Sequence, residues 1–402
     1  MKRNIDVGII GGGAVGCAVA RELAYAGFTN IYLFERNRKI RGENQSSRNS
    51  GVIHAGIYYA KDKMPLKARF CVDGNRLMYE FCEDNDVPAI RTGKLLVAVD
   101  EEEDRILDNY LKRGQENGVP GVEKISGEDV RKMEPNVTAT SALYVPSSGI
   151  VEATEYVSRL HKLASERGAN FLTCRRVVDI KPKGGSFELH IETEGCVESF
   201  ECGILINAAG LYSDEIAKMV NTESPYVMEP VRGEAARFYR NRRPELQTGM
   251  NVYPTPHYFD NLTGQKLKLP KDELDKLVKD GRAALTVGLH LTPTFDVRSG
   301  RYCVGDTVTI GPTTTTGVGK EDYGSNLHPL EHFHSGVKDF FHGLRVDDLQ
   351  LHQAGIRAKL KGVSDFVVER DGQHPNCINL VGIDSPGLTS SLAIAKHVCE
   401  VI

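Results

Sequence analysis

"IDVGIIGGGAVGCAVARELAYAGFTNIYLFER", residues 5–36, decides the fold. Residues 5–10 form a short apolar run with the length of a buried strand. Residues 15–26 carry apolar side chains at helical spacing and stop at Gly27, and residues 31–34 form a second apolar strand. Between the first strand and the helix, Gly11, Gly13 and Gly16 give the pattern G-x-G-x-x-G, with Ala14 and Val15 inside it, and Glu35 closes the second strand. Such glycines let the backbone turn sharply and approach a pyrophosphate, whose charge rests on the helix N-terminus. The acid after the second strand accepts hydrogen bonds from ribose hydroxyls. A bare glycine pattern is a weak signal, and a glycine-rich turn without a ligand is its plain alternative. Strand, helix and acid in register make it a dinucleotide site. Glu35 disfavours a 2′-phosphate but does not separate FAD from NAD.

Working outward, further α/β segments occur near the middle and at the end of the chain. Helices are expected near 67–85 and 102–117, with a short one before Pro135 and another after residue 151. "SFELHIET" (186–193) alternates as a half-buried strand, and "ECGILINAAG" (201–210) is an apolar strand ending in Ala208, Ala209 and Gly210. From about 226 to 344 prolines, threonines and alternating strands dominate, which reads as antiparallel and β-rich. Residues 260–281 look like a polar, lysine-rich surface excursion with one helical piece, "KDELDKLVKD". "GIRAKL" and "CINLVGID" read as strands, and "LTSSLAIAKHVCEV" as a helix that starts after Asp384-Ser385-Pro386-Gly387. The unpaired N–H groups of that helix start would stabilise negative charge on a ligand edge; a simply capped helix is the alternative.

The expected fold is α/β: a discontinuous Rossmann-like nucleotide domain (1–90, 150–225 and 345–402) with an antiparallel β-rich substrate domain (91–149 and 226–344). A chain of 402 residues has room for both, and its 40% hydrophobic content excludes disorder. A net charge of −4 with mixed signs offers no nucleic-acid footprint. No apolar run is long enough for a transmembrane helix, and the glycines at 11–13 break the resemblance of the N-terminus to a signal peptide. Nine cysteines without a C-x-x-C pair read as reduced thiols of a cytoplasmic protein, with no metal site.

Taken together, "GGGAVG", "SSRNSGVIHAGIYY" (46–59), "LINAAG", "AGIRAKL" and "SPGLTSSLAIA" resemble the FAD-dependent D-amino-acid-oxidase superfamily. Within it, "NSGVIHAGIYY", "LKARFCVDGNR", "GKLLVAV", "VPSSGIV", "PVRGE" and "YPTP" are similar to the L-2-hydroxyglutarate dehydrogenase/oxidase group. The resemblance spans nearly the whole chain, in order. It implies FAD, bound non-covalently because none of the nine cysteines has a matching attachment context. The flavin contacts it implies are Gly11, Gly13, Ala14, Val15, Gly16, Glu35, Arg36, Ser46, Ser47, Arg48, Asn49, Ser50, Gly51, Val177, Ala208, Ala209, Gly210, Pro386, Gly387, Leu388 and Thr389. The short polar residues of 46–51 also suit a flavin wrap on their own chemistry, offering donors and acceptors with little bulk.

Oxidising a 2-hydroxy acid needs a hydride acceptor and a base for the hydroxyl proton. An imidazole suits the base, and His54 falls beside the expected flavin. Its plain alternative is a histidine that only bonds flavin or backbone. Gly355-Ile356-Arg357 resembles the superfamily's G-x-R element, whose arginine grips the substrate carboxylate; a guanidinium does this with two parallel bonds. Lys359, on the same strand face, would assist. Arg232, Tyr253, His290 and Thr313 are candidates for a second carboxylate, although each is more often structural. The implied reaction is oxidation of L-2-hydroxyglutarate to 2-oxoglutarate, with oxygen, a quinone or an electron-transfer protein as acceptor. A quinone would bring peripheral contact with the inner membrane face. The rivals are a glycerol-3-phosphate dehydrogenase or amino-acid oxidase of the same superfamily, and a flavin-binding subunit of a larger redox assembly.

Overall fold

A computed structural model describes residues 3–246, 249–260, 266–280 and 282–402. The chain folds as two compact units, Met1–Ala89, Val151–Pro230 and Ile356–Ile402 forming one, and Ile90–Ile150 and Val231–Gly355 the other.

The first unit is built on an eight-stranded sheet. The strand Arg3–Ile10 lies parallel between Ile31–Phe34 and Cys196–Asn207, with Asn170–Leu172 parallel beyond Ile31–Phe34. The long strand Cys196–Asn207 serves two partners along its other edge. Its first half pairs antiparallel with Ser186–Thr193, which in turn pairs with Arg176–Lys183. Its last residues, Leu205 to Asn207, pair parallel with Cys377–Val381. The helices Ala14–Tyr25, Pro65–Asp84, Ala153–Glu166 and Gly387–Val401 pack together in one apolar core with Val7, Ile9 and Leu33 of the sheet. A second core, with Phe34, Phe187, Leu189, Phe200 and Cys202, fills around the antiparallel extension. The parallel strands read as continuous apolar runs because they are covered on both faces.

The second unit holds another eight-stranded sheet, mostly antiparallel. It includes one parallel pair among those described, Lys94–Ala98 with Asn251–Pro254. Two differences from the sequence reading stand out. Residues 345–355 belong to this unit rather than to the nucleotide domain, because the strand Gln350–Arg357 hydrogen-bonds beside Val231–Tyr239; only Ile356 and Arg357 of that strand fall in the first unit. The β-rich stretch also contains a helix, Leu330–Val337, whose Phe333 and Val337 are buried in the unit's core.

Of the lysine-rich excursion, residues 261–265 and 281 lie outside the described residues. The remainder carries the helix Lys271–Lys279, exposed except at Leu274 and in part at Leu277. It is anchored where the Lys266 ammonium pairs with the buried Glu103 carboxylate, which also bonds His257 at 2.9 Å.

Candidate flavin and substrate site

The glycine turn is enforced by contact. Gly11 has φ +108°, a conformation that L side chains rarely adopt, and a Cβ there would lie 2.4 Å from the Ala208 carbonyl oxygen. A Cβ on Gly16 would fall 1.9 Å from the Gly11 carbonyl oxygen. The small residues after the strand Cys196–Asn207 therefore have a reason: Ala208 and Ala209 abut the turn, and the Ala208 N–H donates to Ile10. Gly13 faces only Ser46, whose Oγ accepts from the Ala14 N–H at 2.9 Å. The Ser46 hydroxyl thus sits at the helix N-terminus, where a pyrophosphate would lie.

Glu35 is 5% exposed. Its two carboxylate oxygens accept from the N–H groups of Gly12 (2.7 Å) and Asn37 (2.8 Å), which fixes the carboxylate beside the turn. The Cys174 and Arg175 N–H groups donate to the carbonyls of Asn37 and Glu35, bringing the start of the strand that carries Val177 alongside. The Arg36 guanidinium lies 3.9 Å from the centre of the Tyr212 ring, next to Gly210.

The polar loop 44–51 divides its work. Asn44 donates to the carbonyls of Gly12 and Ile40, and Ser47 Oγ accepts from the Gly42 N–H. Asn49 donates to the Ser46 carbonyl and accepts from the Gly51 N–H at 2.7 Å. Ser47 and Asn49 thus shape the loop through its own backbone, while Arg48 is exposed and Ser50 half-buried. Gly51, at φ +67°, passes so close to Val151 that a Cβ would meet its carbonyl oxygen at 2.6 Å. Gln45, which the sequence reading passed over, accepts from the Ile356 N–H at 2.8 Å and so ties this loop to the strand end before Arg357.

His54 is pinned by its backbone. Its N–H donates to Thr389 Oγ1 (3.1 Å), and its carbonyl accepts from Asn75 Nδ2 (2.9 Å). Its ring Nε2 lies 3.3 Å from Ser385 Oγ. The helix Pro65–Asp84 comes so near the start of the C-terminal helix that a Cβ on Gly74 would lie 2.3 Å from the Thr389 carbonyl oxygen. In that first turn Pro386, Gly387 and Thr389 are buried and Leu388 is half-buried, and Ser390 Oγ is buried with no protein partner. A buried hydroxyl left over at a helix start, a backbone cradle with no room for a Cβ, and a carboxylate fixed beside it fit a flavin dinucleotide.

Arg357 ends its strand half-buried in this unit. Burial pulls its pKa down from the ordinary arginine value, and the Asp384 carboxylate opposes that. Two expectations need correction. Lys359 lies beyond the strand, exposed, its carbonyl accepting from the Glu229 N–H, so it shares no strand face with Arg357. Arg232 is fully buried in the second unit. Its Nε bonds Glu234 at 3.0 Å, Nη1 bonds Asp322 at 3.1 Å, and Nη2 bonds the Ser325 carbonyl, so the guanidinium pins the segment 322–326 and has no edge left for a substrate. Thr313 likewise accepts from the Glu234 N–H. Tyr253 and His290 are buried in the same unit and stacked, ring centres 3.7 Å apart at 15°, with the Lys94 ammonium 3.9 Å from the Tyr253 ring centre. Burial pushes the Tyr253 hydroxyl up, so it stays protonated.

A family profile described as FAD dependent oxidoreductase matches residues 6–401. The mitochondrial L-2-hydroxyglutarate dehydrogenase of Arabidopsis thaliana is 30% identical, over 99% of this chain and 83% of that protein. A glycerol 3-phosphate dehydrogenase of Caloramator mitchellensis is 28% identical over 99% of this chain and 73% of its own length. Among solved structures, dithionite-reduced L-α-glycerophosphate oxidase from Mycoplasma pneumoniae with FAD bound superposes with a TM-score of 0.82 at 24% identity. That match covers 99% of this chain and 94% of that one. No helix among the described residues is long and apolar enough to cross a membrane. A profile match from the first strand to the last helix, on a chain whose glycine turn, buried acid and helix start are all in place, makes this protein a member of the D-amino-acid-oxidase family of FAD-dependent oxidoreductases.

Proposed function

We propose that the protein oxidises an L-2-hydroxy dicarboxylic acid, L-2-hydroxyglutarate giving 2-oxoglutarate. The observation that carries the reaction type is His54, its backbone fixed between two helices and its Nε2 turned to Ser385 at the start of the C-terminal helix. The substrate rests on the near full-length similarity to relatives named for that acid. Bound FAD supplies the acceptor for the hydride that leaves the carbinol carbon. His54 takes the hydroxyl proton, so that two electrons and one proton leave as hydride and the second proton leaves to the imidazole. Arg357 holds the carboxylate next to the reacting carbon through paired N–H bonds. The electrons pass on to oxygen, a quinone or an electron-transfer protein. The flavin is held without a covalent bond, since none of the nine cysteines lies in an attachment context.

A glycerol-3-phosphate reading draws support from the Caloramator relative and the Mycoplasma structure. It needs cations for a phosphate, and the strongest candidate in the β-rich unit, Arg232, is already consumed by Glu234 and Asp322.

Two variants test the residue roles. His54→Ala should lower the limiting rate of flavin reduction by about 10²- to 10⁴-fold, the usual worth of a positioned base. Arg357→Ala should raise KM for the acid by about 10²-fold, the loss of a charge-assisted pair. Near-normal turnover by the first removes the base role, and an unchanged KM in the second removes the carboxylate assignment.

A further inference from the structure

Lys67 is the unusual residue of the first unit: a lysine 7% exposed, in the first turn of the helix Pro65–Asp84. Every part of it is held. The N–H groups of Leu66 and Lys67 donate to the two oxygens of Asp365 at 2.9 and 2.8 Å, which fixes the helix start from which the side chain leaves. The ammonium passes 5.1 Å from the centre of the Phe366 ring and ends 2.7 Å from Asp384 Oδ1. That ion pair is largely withdrawn from water, with side chains 9% and 17% exposed. A partly buried ion pair is poor evidence for stability, because desolvation offsets much of its Coulomb gain. Its worth lies in fixing a geometry.

Asp384 begins the turn that leads into the C-terminal helix. Its N–H donates to the Gly382 carbonyl, and its own carbonyl accepts from the Gly387 N–H at 2.5 Å. The next residue, Ser385, places Oγ 3.3 Å from His54 Nε2, and Thr389 receives the His54 N–H. The chain of contacts runs from the Asp365 cap through Lys67 and Asp384 to Ser385 and the imidazole. Ser385 is itself exposed, so packing does not hold it; the anchored Asp384 beside it does.

We propose that Lys67 is a positioning residue for His54: by gripping the Asp384 carboxylate it fixes the turn that presents Ser385 to the imidazole. This deepens the reading of His54 as the base and rests on it for the rate effect, though not for the geometric one.

The test uses holoenzyme containing ¹⁵N-labelled histidine, with His54→Gln to identify the His54 ring signals. Lys67→Met and Asp384→Asn break the pair from either side, so loss of one variant to misfolding leaves the other; Lys67→Arg keeps the charge. In Lys67→Met and Asp384→Asn the His54 Nε2 signal should leave its native position, and the limiting rate of anaerobic flavin reduction should fall about 10- to 100-fold, the cost of a small misplacement. In Lys67→Met the half-saturating concentration of hydroxy acid should stay within about twofold, and Lys67→Arg should restore both signal and rate; Asp384→Asn also removes the charge that acts on Arg357, so that variant is read by its His54 signal and limiting rate alone. A role in stability alone would leave signal and rate native in the folded variant. Native His54 signals in both pair-breaking variants overturn the proposal, whatever the rate does. Displaced signals with a native rate uphold the positioning and count instead against His54 as the base.

Discussion

Around the glycine turn of the first unit, most partners are backbone. Gly11 and Gly16 lean on carbonyl oxygens, Glu35 accepts two main-chain N–H groups, and Ser46 caps a helix start. The second unit instead carries buried side chains paired with other side chains, Arg232 with Glu234 and Asp322 and Glu103 with His257 and Lys266, and it also holds the buried carboxyl of Glu134 against the N–H groups of Gly249 and Met250. A site made of backbone binds what every dinucleotide shares. A unit with specific buried charges is costly to change at those charges.

The comparison breaks first, if it breaks, at Arg232. Arg232→Ala leaves Glu234, 2% exposed, without its guanidinium, and should destabilise the second unit by about 3–5 kcal/mol. Chemical denaturation measures this. A variant of native stability that instead binds its hydroxy acid poorly would return Arg232 to the substrate site.

Glu134 is the next lever. Burial pushes its pKa from 4.5 to about 7, against the pull of the Met250 and Gly249 N–H groups and the Arg240 charge. A folded-state pKa above the unfolded one means that the folded chain binds the proton more tightly. The stabilisation is complete below pH 4.5 and is lost as pH rises through about 7. The loss is on the order of 3 kcal/mol. Glu134→Gln keeps an acceptor for the two N–H groups and removes the charge, so it should be more stable than the native protein at pH 8 and lose that part of the pH slope. Equal slopes for the two proteins would show that Glu134 titrates normally.

The backbone site sharpens the contrast with the smallest substitution. Gly11→Ala adds one methyl group at φ +108°, 2.4 Å from a carbonyl oxygen. Strain of about 1–3 kcal/mol should weaken flavin retention about 10- to 100-fold, read from the flavin-to-protein absorbance ratio after gel filtration, while thermal unfolding of the second unit stays native.

The same contrast explains what could be read before folding. The strand–turn–helix–strand of residues 5–36 is legible because each signal is local: an apolar run, glycines at fixed offsets, helical spacing and an acid. Helix Ala14–Tyr25 and strand Ile31–Phe34 fall within a residue of their expected positions, and "SFELHIET" is the strand Ser186–Thr193. The strand Lys94–Ala98 has all five residues buried and no alternation to betray it. The helix Leu330–Val337 is eight residues long, three of them histidine or glycine, with little local preference to announce it. The placement of residues 345–355 in the second unit is not legible, because edge pairing with Val231–Tyr239 leaves no mark in the local pattern. The local pattern does not show that Arg232 is occupied, because Asp322 and Ser325, which hold its two terminal nitrogens, lie 90 and 93 residues away. The pairing of Lys67 is hidden in the same way, since Asp384 is 317 residues distant in the chain.

The most direct test of the proposed activity is anaerobic reduction of the bound flavin, followed at the band near about 450 nm where oxidised flavin absorbs. Fast bleaching by L-2-hydroxyglutarate, and not by its D-isomer or by glycerol 3-phosphate, is the predicted result. Bleaching by glycerol 3-phosphate or an amino acid in its place would contradict the substrate. An intact yellow spectrum with every candidate would contradict catalysis by this chain alone and favour a flavin-binding subunit of a larger assembly.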